Sequence, residues 1–377
     1  TASVRGASQW IFVCSQGMGR FCTVGEALDA AKDGDKIYLL PGTYRESVIV
    51  VDASHINYIG EDKGKNSAEV HIDPAKNEVT GWFDYKGPMS GRDGGVKTYF
   101  VLVTNTPFKT FGSWGDGTYR DAERFAHGAK AGAVLGFNTA AGQVIEAKVA
   151  ISYISVEQAR ANMRSEAAGW DFDGMRKRTE NAWEKMLSRI QIEGGTETQR
   201  KIFYTSLYHS LQMPTNYTEA GDMFLGFDRK PHKAKGFRYY TDFSMWDTFR
   251  TLYPLLTLVY PEIQRDMIVS LLKIKEYGGY IPKWPLGASY TNCMSGTPAD
   301  TVITDSYLKG IKNFDVKLAY SGMREIAMNP VPPGSRFGGR GGIDEYIKLG
   351  YLPADKHGGA ASETLEYAYA DYAIARL

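Results

Sequence analysis

The spacing of apolar residues changes near residue 155, and this change limits the folds open to the chain. Before it, short β-branched and aromatic runs such as residues 98–104 and 147–154 are separated by turn residues. After it, apolar residues recur at helical spacing. Ser155-Val-Glu-Gln158 stands at the change and has the form of a helix-capping box. The sequence therefore predicts a multidomain protein with β structure first and helices second.

The helical half contains several segments with clear start and stop signals. Thr196-Glu-Thr-Gln199 repeats the capping-box form and precedes Ile202, Phe203 and Leu207, which we place on one apolar stripe. Pro261 suits the first position of a helix that runs to Gly278, and another helix is predicted over 362–377. Helices joined by Gly- and Pro-rich loops without strands predict a helical bundle or an α/α-barrel.

Charge and cysteine content exclude several classes of function. Lys and Arg total 44 against 43 Asp and Glu, so the net charge is +1, which argues against a dedicated nucleic-acid binder or a polybasic membrane anchor. The three cysteines (Cys14, Cys22 and Cys293) form no zinc motif, and no apolar run is long enough to span a membrane. Aromatic residues make up 13% of the chain, which fits either sugar binding or a large aromatic core.

The densest cluster of functional side chains is Ser244-Met-Trp-Asp-Thr-Phe-Arg250. Trp246 can stack on a sugar, Asp247 can accept hydrogen bonds from two hydroxyls, and Arg250 can orient Asp247 through a paired hydrogen bond. The alternative is a helix start with a capping Asp and a buried Trp. Weaker candidates are the loop residues Lys283, Trp284, Asn292 and Cys293. Glu363 and Glu366 form another weak candidate: paired carboxylates can act as acid and base on a glycosidic bond, and the alternative is a polar helix face.

Five segments of the helical half, taken in order, resemble the calcium-dependent exo-α-mannosidases of glycoside hydrolase family 92. The resemblance covers roughly residues 74–377. The segments are Phe203-Tyr-Thr-Ser-Leu-Tyr-His209, Ser244 to Arg250, Gly279-Tyr-Ile-Pro-Lys-Trp-Pro285, Asp305-Ser-Tyr-Leu-Lys-Gly310, and Asp344-Glu-Tyr-Ile-Lys-Leu-Gly350 with Thr364-Leu-Glu-Tyr-Ala368.

This resemblance implies a β-sandwich packed on an (α/α)6 barrel, and inverting hydrolysis of terminal α-mannose in glycans, including N-glycan processing. It implies Ca2+ as the cofactor that holds the sugar hydroxyls, and a secreted or periplasmic location. The terminal-mannose pocket of the family transfers onto Trp246 and Asp247. The predicted substrate-binding residues are Trp246, Asp247, Arg250, Trp284, Cys293 and Glu366.

The family's general acid, its base and its calcium ligands are expected after Leu377. We therefore predict no catalytic residue and no Ca2+ ligand within these 377 residues, negligible hydrolysis of an aryl α-mannoside, and self-association through uncovered barrel helices. The alternative function is a non-catalytic carbohydrate-binding or structural remnant.

Residues 20–73 resemble the start of a pectin methylesterase β-helix. This similarity is carried by Phe21-Cys-Thr-Val-Gly-Glu-Ala-Leu28 and Lys36-Ile-Tyr-Leu-Leu-Pro-Gly-Thr-Tyr-Arg-Glu46. It makes a carbohydrate esterase the third alternative for the function. The predicted organisation is a β-helix-like segment at 1–73, an antiparallel β-sandwich at 74–154, linker helices at 155–195 and a partial (α/α)6 barrel at 196–377.

Overall fold

Among the residues that the structure describes, those before residue 155 lie mainly in strands. The structure, a computed structural model, describes residues 10–13, 36–39, 48–52, 66–140 and 143–377, so most of the segment predicted to resemble a β-helix lies outside it. The strands before residue 155 are β1 (Trp10–Val13), β2 (Lys36–Leu39), β3 (Val48–Asp52), β4 (Ser67–Asp73), β5 (Glu78–Tyr85), β6 (Val96–Thr104), β7 (Thr110–Gly115), β8 (Thr118–Asp121), β9 (Phe125–Gly128), β10 (Ala131–Gly136) and β11 (Ala147–Ser152).

These strands form two larger sheets and one parallel pair. One sheet has the order β3-β10-β7-β8 and the other β11-β6-β5-β4-β9, while β1 pairs with β2. The partners β3–β10, β10–β7, β7–β8 and β4–β9 are antiparallel. The predicted antiparallel β-sandwich is therefore confirmed. The β-helix-like arrangement of residues 1–73 stays a prediction, although β3 from that segment pairs into the first sheet.

Alternating burial shows how one strand serves the sandwich core. In β4, Ala68, Val70 and Ile72 are buried and the residues between them are more exposed. Ala133 and Leu135 of β10 are fully buried. A period of two along a strand places one set of side chains in the core and the other toward water. The apolar spacing before residue 155 thus produces the sheet faces that the sandwich needs.

Helices follow from residue 156 onward, as the sequence predicts. They are α1 (Val156–Glu166), α2 (Phe172–Leu187), α3 (Glu197–Ser210), α4 (Met245–Thr248), α5 (Leu252–Val259), α6 (Pro261–Gly278), α7 (Pro298–Leu308), α8 (Val316–Met328), α9 (Ile343–Leu349) and α10 (Ala360–Arg376). Short strand pairs lie among them: β12 (Thr215–Asn216) with β15 (Tyr240–Thr241), β13 (Met223–Leu225) with β14 (Pro231–Lys233), and β16 (Pro285–Leu286) with β17 (Ser289–Tyr290). Closure of these helices into a barrel stays a prediction.

Both predicted capping signals begin helices. The Ser155 side chain accepts a hydrogen bond from the Gln158 backbone N–H at the start of α1. At α3 the capping box is complete, because Thr196 and Gln199 exchange hydrogen bonds between side chain and backbone. Such caps satisfy N–H groups that have no partner inside the helix. The stripe predicted for α3 is only partly right, because Leu207 is buried whereas Ile202 is 61% exposed.

The chain divides into two compact units. The first comprises Thr1–Tyr58, Ser67–Gly81 and Val101–Val149, and the second comprises Ile59–Asn66, Trp82–Phe100 and Ala150–Leu377. An aromatic and aliphatic core that includes Phe224, Tyr239 and Leu271 fills the second unit. Helix α2 is different, since none of its residues is buried. Within the described part of the chain, no helix combines the length and apolar character needed to cross a membrane.

Candidate functional site

Trp246 and Glu366 are joined by a hydrogen bond across 120 positions of the chain. The indole Nε1–H of Trp246, in α4, donates to Oε1 of Glu366, in α10, over 3.1 Å. Arg250 completes the group: its Nη2 is 3.8 Å from the same oxygen, and its guanidinium carbon is 5.1 Å from the centroid of the Trp246 ring. The structure therefore brings three of the six predicted site residues together, around a carboxylate that is 20% exposed.

Arg250 and Asp247 do not form the paired hydrogen bond that the sequence suggested. Each of them has another partner. Arg250 Nη1–H donates to the Trp246 carbonyl oxygen over 2.6 Å. Asp247 Oδ2 accepts from the Ser244 hydroxyl over 2.8 Å. The Arg250 side chain lies over the Trp246 ring and reaches toward Glu366 in α10. Arg250 thus orients Trp246 and Glu366, and Asp247 is held by the residue that precedes α4.

Trp284 and Cys293 are held by one hydroxyl between them. Thr291 Oγ1–H donates to the Trp284 carbonyl oxygen over 2.6 Å and accepts from the Cys293 backbone N–H over 3.2 Å. The hairpin of β16 and β17 lies within this closed loop. The Cys293 thiol is free and half-buried, and the buried Trp284 Nε1–H has no hydrogen-bond partner in the described part of the chain. Thr291, which sequence reasoning missed, therefore positions two of the predicted site residues.

Gly296 links this loop to the helix that carries Glu366. Its N–H donates to Glu363 Oε2 over 3.1 Å, one turn before Glu366 in α10. Its φ is +65°, and a Cβ at this position would lie 2.8 Å from the Glu366 Cβ. Only glycine combines this backbone angle with such a close approach. The sequence signal of this close approach to Glu366 is a glycine immediately before Thr297-Pro298, where α7 begins.

An ionic cluster in which Arg340 and Asp300 are buried links α7 and α10. Arg340 Nη2 is 3.2 Å from Asp300 Oδ2, and its Nη1 is 2.6 Å from Asp371 Oδ1. Thr297 Oγ1–H also donates to Asp300. Burial raises the pKa of Asp300 to about 6, although the guanidinium of Arg340 opposes this shift. The cluster ties the glycine-rich loop that contains Arg340 to both helices.

The residues described here do not form a metal site by themselves. No three His, Cys, Asp or Glu side chains converge on one point within the described ranges. Calcium is held by six to eight oxygen ligands, and the described carboxylates do not form such a set by themselves.

Two models of one protein family match this chain. Residues 158–377 match the Glycosyl hydrolase family 92 catalytic domain, and residues 38–152 match the Glycosyl hydrolase family 92 N-terminal domain. The helices and the aromatic and carboxylate cluster thus fall in the segment that matches a catalytic domain of glycosyl hydrolases. The chain belongs to glycosyl hydrolase family 92, which confirms the resemblance seen in the sequence.

Solved structures of the family are similar to this chain over most of its length. An inverting mannosidase of family GH92 from Bacteroides thetaiotaomicron is 30% identical, with a TM-score of 0.78, over 87% of this chain and 43% of its own. A GH92 α-mannosidase from the same organism is 32% identical with a TM-score of 0.73 and coverage of 82% and 41%. Its complex with mannoimidazole gives a TM-score of 0.72.

A curated relative is similar over a shorter stretch. The "uncharacterized secreted glycosidase" of Arthroderma benhamiae is 28% identical over 260 residues, which are 65% of this chain and 29% of the relative. The chain thus spans less than half the length of the relatives it matches.

Proposed function

We propose that this chain is part of an α-mannosidase-like glycoside hydrolase that removes terminal α-mannose from glycans with inversion. The observation that carries the proposal is the similarity, at 30–32% identity and over 82–87% of the chain, to an inverting mannosidase and to an α-mannosidase. The structure of that α-mannosidase with mannoimidazole supports mannose as the sugar. The net charge of +1 suits a neutral substrate.

The cluster around Trp246 supplies the groups that a sugar pocket uses. An indole ring packs against the C–H face of a pyranose, and carboxylate oxygens accept from its hydroxyls. In this proposal Asp247 and Glu366 accept from the sugar, and Arg250 holds Trp246 and Glu366 in place. Trp284 and Cys293 line the adjoining loop.

Inverting hydrolysis requires two carboxyl groups far enough apart to admit a water molecule, one as acid and one as base. We assign neither role to a described residue. Glu363 accepts a hydrogen bond from the Gly296 N–H, and Glu366 is held by Trp246 and Arg250. Such contacts are typical of carboxylates that bind a ligand.

Three further properties belong to the proposal. The family resemblance supports Ca2+ as the cofactor. It also supports action on N-glycans. A secreted location is supported by the name of the Arthroderma benhamiae relative.

Calorimetric titration of the full chain tests the proposed sugar preference. We expect methyl α-D-mannoside to bind about tenfold or more tightly than methyl α-D-glucoside, its epimer at one hydroxyl, because the epimer cannot place that hydroxyl on the same carboxylate and a hydrogen bond to a charged group contributes about 1.5–3 kcal/mol. Titrations with added Ca2+ and with a chelator measure the contribution of the ion. Equal affinity for the two sugars, or no binding of either in both conditions, contradicts the proposal.

Variants of Asp247 locate the binding site. Asp247→Ala removes the proposed acceptor, and we expect weaker binding of the mannoside with little change in the melting temperature. Asp173→Ala is the matched control, because that carboxylate is 82% exposed on α2 and belongs to no candidate site. If Asp247→Ala and the unaltered chain bind the mannoside with equal affinity, the sugar does not bind at Asp247.

A further inference from the structure

Asn216-Tyr217-Thr218 is a sequon for N-glycosylation. It is the one place in the 377 residues where an Asn is followed two positions later, without an intervening Pro, by Ser or Thr. Such a short motif often arises by chance, so its structural setting decides whether it can carry a glycan. In a secreted protein the acceptor Asn has to lie at the surface of the folded chain.

The structure places Asn216 at the surface, in the two-residue strand β12. Its side chain forms an Asx turn, in which Oδ1 accepts a hydrogen bond from the Thr218 backbone N–H over 3.0 Å. The Thr218 hydroxyl accepts from the Tyr239 N–H over 2.7 Å, so both polar residues of the sequon are held in place. The turn uses the oxygen of the Asn216 amide, whereas a glycan is attached to the nitrogen. The fold is therefore compatible with a glycan on Asn216.

Asn216 also lines a cavity of about 640 Å3 in the second unit. The other lining residues are mainly apolar and include Trp183 of α2, Met213, Pro214, and Met267 of α6. A cavity of this size holds a small organic molecule. The ring of N-acetylglucosamine presents an apolar C–H face that packs on an indole, and its N-acetyl group adds a methyl. The cavity thus offers an apolar wall beside the side chain to which the first sugar of a glycan is bonded.

We propose that Asn216 is an N-glycosylation site and that the first N-acetylglucosamine of its glycan packs against the part of the cavity wall formed by Trp183. This inference goes beyond the proposed hydrolase activity and rests only on the proposed secreted location. The donor is an oligosaccharide bonded through its anomeric carbon to a polyprenyl pyrophosphate. In the transfer, Asn216 Nδ2 forms a bond to that carbon and loses one proton, while the bond from the carbon to the pyrophosphate oxygen breaks and the pyrophosphate leaves with the electron pair.

A sugar on Asn216 has a consequence for helix α2. No residue of α2 is buried, and Trp183 packs against Tyr208 of α3 with their ring centroids 4.4 Å apart. A sugar that covers the Trp183 ring removes apolar surface from water and joins α2 to β12. We therefore expect the glycan to slow the opening of α2, and we expect this effect to require the indole ring.

Secretion of the full chain from a eukaryotic host, behind a cleavable signal peptide, tests the modification. Mass spectrometry of the intact chain should show one N-glycan, which an N-glycan-specific amidase removes with conversion of Asn216 to Asp. Thr218→Ala removes the hydroxyl of the sequon and should abolish the glycan, whereas Thr218→Ser should retain it. Asn313→Gln is the matched control, because Asn313 is also exposed but lies outside a sequon, and it should leave the glycan in place.

An unmodified Asn216 in the chain recovered from the host would overturn the inference. Chain that the host retains is analysed in the same way, because the transfer takes place before export. A glycan that persists in Thr218→Ala would also overturn it. None of these results depends on mannoside binding, so a failure of this inference is distinguishable from a failure of the proposed function.

Hydrogen exchange tests the packing of the sugar. An endoglycosidase trims the glycan to a single N-acetylglucosamine, and Asn216→Asp is the matched sugar-free chain, identical to the product of the amidase. We expect the amide hydrogens of α2 to exchange about two- to tenfold more slowly in the chain that carries the sugar, as for one aromatic contact. Trp183→Ala should remove this difference. Equal exchange with and without the sugar, in chains that retain Trp183, would show that the sugar does not pack in the cavity.

Discussion

Arg336 and Asp93 form a two-point ion pair across 243 positions of the chain. Nε and Nη2 of Arg336 lie 2.6 and 2.7 Å from the two carboxylate oxygens of Asp93. The third guanidinium nitrogen donates to the Phe227 carbonyl oxygen over 2.6 Å, and Asp93 also accepts from the Tyr290 N–H. One ion pair thus joins four segments of the second unit.

Replacing Arg336 by Lys should destabilise the second unit, because an ammonium cannot reproduce the parallel pair of hydrogen bonds. We expect a loss of about 1–3 kcal/mol in the free energy of unfolding, which allows for the partial exposure of Arg336. Urea unfolding measures the loss. The control Glu180→Gln breaks an exposed pair with Lys177 and should cost less than about 0.5 kcal/mol. A loss of less than about 0.5 kcal/mol for Arg336→Lys would contradict the central role of the ion pair between Arg336 and Asp93.

Asp300 should make stability depend on pH in a defined window. Its pKa is raised from 3.8 to about 6 in the folded protein by burial. Between these values the folded state binds more protons than the unfolded state, so this contribution is fully present below about pH 4 and is lost as the pH rises to about 6. Above about pH 6 the free-energy cost of burying the ionised Asp300 carboxylate no longer changes with pH.

The variant Asp300→Asn isolates this effect. The difference in unfolding free energy between the unaltered chain and the variant should fall by about 1–3 kcal/mol across the window and stay flat above it. Denaturant unfolding at a series of pH values provides the measurement. A pH-independent difference would mean that Asp300 is ionised throughout.

Gly296→Ala should weaken both stability and sugar binding, because the new Cβ meets Glu366 and the φ of +65° is strained. We expect a stability loss of about 1–3 kcal/mol together with reduced mannoside affinity. Gly334→Ala is the matched control, since its φ of +80° carries similar strain but no atom of the described residues lies within 4 Å of the added Cβ. It should lose stability and retain affinity. Equal affinities in the two variants would show that Gly296 does not support the site.

Thr291→Val should release the loop that holds Cys293. The variant removes the hydroxyl that bonds Trp284 and Cys293, at a cost of about 1–3 kcal/mol for the groups left unpaired. Labelling of the Cys293 thiol, with Cys14 and Cys22 replaced by Ser, should become faster. The control Thr257→Val removes a hydroxyl that bonds only its own helix and should leave the labelling rate unchanged. An unaltered rate in Thr291→Val would show that the loop is held by other contacts.

Local signals in the sequence predicted local structure well. The change of apolar spacing at residue 155 and the capping box of Thr196 and Gln199 depend on neighbours within a few residues, and both are present. Ile202 was misplaced because adjacent helical residues point about 100° apart, so Ile202 and Phe203 cannot share a narrow stripe. The bond between Trp246 and Glu366 and the pair of Asp93 and Arg336 join distant segments. No local pattern encodes such contacts: Trp246 and Glu366 were both predicted as site residues, but the bond between them was not.

Helix α2 has a consequence for how the second unit opens. A helix in which no residue is fully buried gains less from tertiary packing than a helix with a buried face, although Met186 and Leu187 at its end contact the core. Its 16 residues are close to the length at which isolated helices are marginal in water. Its amide hydrogens should therefore exchange with solvent before those of α6 and α7, whose apolar faces are buried. Limited proteolysis under native conditions would then first cleave within Phe172–Leu187, while the rest of the second unit remains folded.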